Sequence, residues 1–247
     1  MKLIKPKFWS TKKSILTWLF FPLSYLVLIY IFLKKKIIKP IKFQIPIICI
    51  GNIYLGGTGK TPTAIFLANE LLRLGKKPTI LRKFYKSHSD EYDLIKSNFK
   101  SLILNKNRTT GIHEAIKRKY DTVILDDGFQ DYKIKKDLSI LCFNSDYLIG
   151  NGLIIPAGPC RENLNALLEV QIVLINGERN IDFENKILKI NNKLKIFYSN
   201  FKALNCKQFE NKNLLAIAGI GSPDSFFKLI EKNNLKIKRK LIFPDHY

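Results

Sequence analysis

The sequence predicts an α/β fold in which a parallel sheet is covered by helices on both faces. Three observations support this prediction. From Ile41 onward, short apolar runs alternate with amphipathic stretches of helical length, which is typical of buried parallel strands connected by helices. A glycine-rich loop at residues 56–61 follows the first of these runs, and Asp126 and Asp127 follow a later one. Segments that follow parallel strands meet at one edge of the sheet, where such folds bind ligands.

The N-terminal segment, residues 1–40, is basic and contains a long apolar run. The net charge is +22, and half of it lies before Glu70, the first acidic residue. Residues 14–33 carry no charge and would span roughly 30 Å as a helix, the thickness of a bilayer core. Flanking lysines favour a helix at an anionic membrane surface, although Pro22 is expected to interrupt it. A full span and a buried core helix stay open, whereas the flanking sequence argues against a cleaved signal peptide.

The rest of the chain is expected to form two units. Residues 41–178 contain six apolar runs predicted as strands, namely IPIICIGN, PTILR, SLILN, TVILDD, SILCF and IVLIN. Residues 179–247 are expected to form a smaller α/β lobe, with LLAIAGIG, a helix from near Ser222, and KIKRKLIF. The polar stretch at residues 178–212 is the predicted boundary. The 4 cysteines form no C-x-x-C pair, which argues against structural zinc and a disulfide framework.

The loop GGTGKT predicts a phosphate site. Its glycines let backbone N–H groups turn toward a phosphate, and the following helix N-terminus adds partial positive charge. Lys60 would reach the β- and γ-phosphates of a nucleotide. A strict P-loop has glycine where Tyr54 stands, so the match is partial, and a plain glycine-rich turn is the alternative. The predicted nucleotide-binding residues are Gly56, Gly57, Thr58, Gly59, Lys60 and Thr61.

The two aspartates that follow TVIL predict a metal site beside the phosphate loop. A carboxylate at the end of a strand beside a P-loop binds Mg²⁺ together with the loop hydroxyl, so Thr61, Asp126 and Asp127 are the predicted ligands. Adjacent residues of an extended chain point to opposite sides, so one acid could hold the metal while the other orients a neighbour. A solvated Asp-Asp-Gly turn is the alternative. The glycine-rich loop and the two aspartates together predict a P-loop NTPase-like sheet.

Five motifs in order resemble the tetraacyldisaccharide 4′-kinase family. They are GNIYLGGTGKTP, DDGFQ, GNGLIIPAGPCRE, AGIGSPDSFF and FPDHY, and the apolar stretch with FPLSYL is similar to the family's membrane-associating helix. The resemblance covers essentially the whole chain. It implies an enzyme of lipid A biosynthesis on the cytoplasmic face of the bacterial inner membrane. With ATP and Mg²⁺, it would phosphorylate the 4′-hydroxyl of a tetraacylated glucosamine disaccharide 1-phosphate, an anionic lipid.

The resemblance also implies which residues act at the attacking hydroxyl. The family uses an Asp–His pair there, and the matching positions are Asp90, in a Ser-Asp-Glu sequence where the family has Gly-Asp-Glu, and His246. A carboxylate within hydrogen-bond reach can take the proton of a sugar hydroxyl, and a histidine can orient it or accept the proton. The expected catalytic residues are therefore Asp90, His246 and Lys60. Two further histidines, His88 and His113, have no motif support and are expected on the surface.

Other positions match or depart from the family pattern. Arg161 and Glu162 match its Pro-x-Gly-Pro-x-Arg-Glu stretch, and Arg161 is a candidate for contact with an anion. Residues 81–86 differ from the family's usual Ser-Arg-Gly-Tyr-Gly. Family members continue beyond the Asp-His motif, so the second lobe is expected to be incomplete at Tyr247.

Two other functions compete with a lipid kinase. A membrane-tethered P-loop NTPase would share the phosphate loop and the acidic strand end but would not need Asp90 or His246. Nucleic-acid binding through the positive charge ranks below both, because the chain has no basic–aromatic motif and its lysines surround an apolar segment. No nucleic-acid partner is therefore expected.

Overall fold

The computed structural model describes residues 6–11, 14–86, 88–220 and 223–243. Its helices are α1 (Ile15–Ile37), α2 (Lys60–Arg73), α3 (Ser89–Asn98), α4 (Arg108–Lys117), α5 (Ile181–Ile190) and α6 (Pro223–Lys232). Its strands are β1 (Ile47–Gly51), β2 (Pro78–Lys83), β3 (Leu102–Asn105), β4 (Thr122–Asp126), β5 (Leu138–Asn144), β6 (Ile172–Asn176), β7 (Lys195–Ser199), β8 (Leu214–Ala218) and β9 (Ile237–Ile242).

The main sheet has seven parallel strands in the order β3-β2-β4-β1-β5-β6-β7. After β1 the chain crosses to one side for β2 and β3, returns for β4, and continues on the other side of β1 with β5. The strand order thus reverses around β1, which pairs Ile50 with Asp126 of β4 and with Ile140 of β5. Ligands of open α/β sheets bind beyond the carboxyl ends of the strands at such a reversal.

Helices cover both faces of this sheet because its strands are apolar on both sides. Ile50 points into a core formed with Ala68 of α2 and Ile95 of α3. Its neighbour Cys49 points into the opposite core, where α4 contributes Ile112 and α5 also packs. Alternate side chains of a strand face opposite ways, so a continuous apolar run fills two cores at once. The predicted α/β class with helices on both faces is confirmed.

The second unit is a small parallel sheet of β8 and β9 covered by α6. Ala216, Ala218 and Phe227 form its core, and the helix expected near Ser222 is α6. The polar stretch at residues 178–212 also contains α5 and β7, which sequence analysis did not predict and which belong to the main sheet and its cover. The change from one sheet to the other lies between β7 and β8. The division into domains at residue 178 stays a prediction.

Helix α1 contacts the core through a narrow polar stripe. Thr17 and Ser24 are its buried residues, and the Ser24 hydroxyl donates to the Ile154 carbonyl (2.8 Å) and accepts from the Ala157 N–H (2.9 Å). The apolar side chains around the rest of α1 are exposed, which overturns the core-helix alternative; they include Trp18, Leu19, Tyr25, Leu26, Tyr30 and Leu33. In length and composition α1 could cross a membrane.

The prediction that Pro22 interrupts this helix is wrong. Helix α1 runs without a break from Ile15 to Ile37, with Pro22 inside it. Proline removes one backbone hydrogen bond from a helix and usually bends it, but here the loss of that bond does not end the helix.

Candidate active site

The phosphate loop joins β1 to α2 and has a tightly constrained backbone. Gly59 adopts the left-handed conformation at φ 84° immediately before α2. A Cβ at this position would lie 2.4 Å from the Asn176 amide nitrogen. Only glycine therefore fits here, because a side chain would be strained and would collide with β6.

Two buried asparagines hold the loop in this shape. The Asn52 amide donates to the Gly56 carbonyl (3.1 Å) and to the Thr58 hydroxyl (2.9 Å). The Asn176 amide donates to the Thr58 carbonyl from the other side (2.6 Å). Because these hydrogen bonds hold two loop carbonyls and one loop hydroxyl, the loop keeps its shape without a ligand. Sequence analysis did not identify either asparagine, although both stand where a β-strand meets a loop at the ligand edge of the sheet.

Tyr54 occupies the position where the strict P-loop pattern has glycine. Its ring stacks on Tyr147 with centroids 4.4 Å apart, and burial raises the pKa of its hydroxyl to about 12. The Tyr147 hydroxyl in turn donates to the Gly57 carbonyl. The tyrosine therefore packs beside the loop and does not fill it, so the departure from the pattern leaves the phosphate position open.

Thr61 and Asp126 meet at the start of α2. The Thr61 hydroxyl donates to Asp126 Oδ2 (2.9 Å), and Arg82 at the end of β2 also donates to this oxygen. The Asp126 side chain is 0 % exposed, and its Oδ1 has no hydrogen-bond partner among the described residues. A buried carboxylate oxygen without a donor is well suited to a hard cation, which prefers oxygen ligands. The pair therefore fits a Mg²⁺ ion.

Asp127 lies among three cations. It follows β4 with φ 55°, and its carboxylate lies 3.9 Å from Lys60 Nζ and 2.7 Å from an Arg161 nitrogen. Arg108 donates to the Asp127 carbonyl (2.6 Å). The two aspartates thus have different partners, Thr61 and Arg82 for Asp126 and Lys60 and Arg161 for Asp127.

The charges around Asp127 shift two pKa values. Burial alone would raise the pKa of Asp127, but Lys60 and then Arg161 outweigh it and lower that pKa well below its usual value. Burial lowers the pKa of Lys60, and the attraction of Asp127 only partly opposes this. Asp127 therefore stays ionised and helps to keep the Lys60 ammonium charged.

A cleft of about 420 Å³ opens above these residues. Both aspartates line it, together with a surplus of cationic side chains, which are Lys34, Arg82, Lys83, Lys106, Arg108, Lys133 and Arg161. A concave surface with such an excess of positive charge attracts polyanions. Of the sequence-based candidates for anion contact, Arg161 lies in the cleft; Arg82 and Arg108 were not identified from the sequence.

Of the two predicted acceptor residues, the structure describes one. Asp90 is exposed in the first turn of α3, and His246 lies outside the described residues. Next to Asp90, Glu91 pairs with Arg82, which also contacts the metal-side carboxylate Asp126. His88 is partly exposed, in line with the prediction of a surface residue, and it lines the cleft 3.2 Å from Glu91. His113 is exposed, as expected.

The loop, the acidic strand end and the strand order together define a P-loop NTPase-like protein. The chain belongs to the tetraacyldisaccharide 4′-kinase family, because the family described as Tetraacyldisaccharide-1-P 4'-kinase matches residues 16–247. A tetraacyldisaccharide 4'-kinase of Pelagibacter ubique is 40% identical over 100% of this chain and 79% of its own length. One of Rickettsia bellii is 33% identical over 100% of this chain and 81% of its own. The sequence resemblance is thus confirmed.

A solved structure shares the fold. The crystal structure of LpxK from Aquifex aeolicus in complex with ATP superimposes with a TM-score of 0.70 over 94% of this chain and 83% of that one, at 23% sequence identity. This likeness confirms the P-loop NTPase-like architecture for nearly the whole chain.

Proposed function

We propose that this protein transfers the γ-phosphate of ATP to the 4′-hydroxyl of a tetraacylated glucosamine disaccharide 1-phosphate in lipid A biosynthesis. Its family membership supports the reaction, and relatives at 33–40% identity carry the kinase name. The observation that carries the proposal is the meeting of Lys60 with Asp127 and of Thr61 with Asp126 at the start of α2, where both aspartates also line a basic cleft. A triphosphate, a cation and a hydroxyl acceptor would have to come together at such a place.

The phosphate loop would bind the triphosphate of ATP. Backbone N–H groups of residues 56–61 and the N-terminus of α2 offer donors and partial positive charge to the phosphates. Lys60 would contact the β- and γ-phosphates, while Arg161 and Arg108 from across the cleft would neutralise charge on the transferred group. The preset shape of the loop matters because donors that need no rearrangement stabilise the transition state most effectively.

Thr61 and Asp126 would hold Mg²⁺, and Asp127 would lie close to it. Mg²⁺ is usually bound by one or two carboxylates together with phosphate oxygens, and within residues 6–11, 14–86, 88–220 and 223–243 no group of three or more acidic, histidine or cysteine side chains could hold a metal alone. When bound, the ion would neutralise charge on the β- and γ-phosphates. Arg82, which now donates to Asp126, would then be free to turn toward a phosphate.

Asp90 would act as the general base toward the lipid hydroxyl. The 4′-oxygen forms a bond to the γ-phosphorus as the bond from that phosphorus to the bridging oxygen of ADP breaks. The hydroxyl proton passes to the Asp90 carboxylate. His246 would orient Asp90 or share the proton. The position of Asp90 at the start of α3, beside the cleft residue His88, supports this assignment.

The exposed side of α1 would place the enzyme on the cytoplasmic face of the inner membrane. Its polar stripe is engaged with the core at Ser24, while its apolar outer side faces away from the protein. Such a helix would lie with that side in the acyl region, and Lys34 and Lys36 at its end would meet anionic headgroups. Lys34 also lines the cleft, so a lipid in the membrane could reach the site.

The test is an assay of purified protein in detergent with ATP, Mg²⁺ and tetraacyldisaccharide 1-phosphate. The expected product carries a new 4′-phosphate, and its formation should require both ATP and Mg²⁺. A folded preparation that hydrolyses ATP at the same rate with and without lipid, and forms no phosphorylated lipid, would contradict the proposal. That outcome would favour the membrane-tethered NTPase.

A further inference from the structure

Glu162 is a buried carboxylate outside the phosphate site. It follows Arg161 in the segment between β5 and β6, and its side chain is only 2 % exposed. A buried charge is costly unless it is paired and hydrogen-bonded. The partners of Glu162 therefore indicate what the charge is for.

One partner comes from the apolar helix. Lys35, in the last turn of α1, lies 2.9 Å from Glu162 Oε2. Lys35 also lies 3.1 Å from Glu169, whose side chain is 60 % exposed. The same ammonium group therefore makes one buried and one solvated ion pair, and the solvated pair is expected to contribute little.

The Tyr132 side chain is also hydrogen-bonded to Glu162, and a further partner leads to the phosphate loop. Gln130, in the DDGFQ motif, donates to Glu162 Oε1 (3.2 Å) and to the Asn52 carbonyl (3.0 Å). The Asn52 amide in turn donates to Gly56 and Thr58 of the loop. Three residues thus connect the end of α1 to the loop without a gap.

The neighbouring residue Arg161 also connects to the phosphate site, through both its main chain and its side chain. The Arg161 N–H donates to the Ile53 carbonyl (2.6 Å), next to Asn52. The Arg161 guanidinium contacts both Asn52 and Asp127. A shift of Glu162 would therefore move two groups at the phosphate site, the loop itself and the cation that faces Asp127.

We propose that Glu162 is a positioning residue that fixes the phosphate loop through Gln130 and Asn52, and that Lys35 of α1 holds Glu162 in place. The inference rests on the proposed phosphoryl transfer. It assigns a role to a residue that contacts neither nucleotide nor acceptor. It also links the position of α1 on the protein core to the shape of the phosphate loop, because Lys35 of α1 supplies the positive charge that pairs with Glu162.

The experiment is a double-mutant cycle in the full chain, with phosphoryl transfer assayed in detergent. Glu162→Gln keeps the shape and removes the charge, and Lys35→Met keeps the length and removes the partner. Each should lower kcat by about tenfold, because small displacements of catalytic groups are that costly, and leave KM for ATP within about threefold. The double variant should be no slower than either single variant, since the two residues act as a unit. Glu169→Gln is the matched control and should stay within about twofold of the unchanged chain.

Three results would overturn the inference. The first is unchanged kcat with only a lower melting temperature, which would make Glu162 purely structural. The second is a fully additive double variant, about a hundredfold slower. The third is a double variant with the original kcat. The double variant leaves neither Glu162 nor Lys35 as an unpaired buried charge. It can therefore be measured even if a single variant does not fold. Failure of the unchanged chain to phosphorylate the lipid would instead contradict the proposed function.

Discussion

The proposed nucleotide side and the proposed acceptor side of the site are built in different ways. On the nucleotide side, Thr58 and Asp126 are buried, and Asn52 and Asn176 bind the loop from two directions. On the acceptor side, Asp90 is exposed in the first turn of α3. One side is part of the sheet's core, whereas the other is a surface helix next to the cleft.

The difference follows from what each side has to bind. A triphosphate is small and highly charged, so its donors stabilise it best when they are fixed in advance by the core. A lipid disaccharide is large and arrives from a membrane, so its contacts have to lie at an accessible rim. We therefore expect substitutions on the nucleotide side to affect binding and stability together, and substitutions on the acceptor side to affect turnover alone.

The largest expected effect is that of Lys60→Ala. It removes the cation proposed to contact the γ-phosphate and leaves Asp127 without its nearest ammonium group, so phosphoryl transfer should fall by about a thousandfold. The measurement is initial velocity with saturating lipid and ATP, next to the matched control Lys76→Ala just after α2. A folded Lys60→Ala variant that keeps about a tenth of the original rate would remove Lys60 from the catalytic residues.

Asp90→Asn tests the acceptor side. Loss of the general base should lower kcat by about a hundredfold, with the dissociation constant for ATP unchanged, because Asp90 lies in α3, outside the phosphate loop at residues 56–61. The control is Asp93→Asn, an exposed acid one turn further along α3. Equal turnover of the two variants would show that Asp90 is not the base and would remove the contrast between the two sides.

Most of the fold could be predicted from the sequence because its signal is local. Continuous apolar runs flanked by glycine or polar residues identified β1 to β6, each of which fills a core on both faces. Strand β7 was missed because it lies at the sheet edge in a polar stretch, and Ile196 and Tyr198 are only partly buried. Helix α5 was missed in the same stretch.

The site could be predicted only where a contiguous motif carries the chemistry. GGTGKT and the two aspartates were identified because the spacing of neighbouring residues defines them. Asn176 lies 118 positions from Thr58, and Arg82 reaches Asp126 from another strand. These contacts depend on the strand order, which a single sequence does not reveal. His88 was not linked to the site for the same reason, since only the path of the chain after β2 brings it to the cleft.

A smaller effect is expected from Gly59→Ala on the nucleotide side. The left-handed backbone should cost about 1–2 kcal/mol of folding free energy in a residue with a side chain, and contact with Asn176 adds to it. Affinity for ATP should fall about tenfold in parallel, because the same backbone forms the phosphate site. The matched control for stability is Gly57→Ala, where a Cβ would meet nothing within 4 Å. Equal melting temperatures of the two variants would contradict the assigned loop geometry.

The smallest effect should come from the exposed apolar side of α1, which is the proposed membrane contact. Leu26 is exposed on the outer side of this helix, and burying about half of a leucine side chain in the acyl region should contribute about 1 kcal/mol. Leu26→Ser should therefore weaken binding to anionic phospholipid vesicles about fivefold and leave turnover in detergent unchanged. Leu74→Ser, at an equally exposed leucine after α2, should leave vesicle binding unchanged. If both variants bind vesicles as the unchanged chain does, the outer side of α1 is not the membrane contact, and lipid must reach Asp90 by another route.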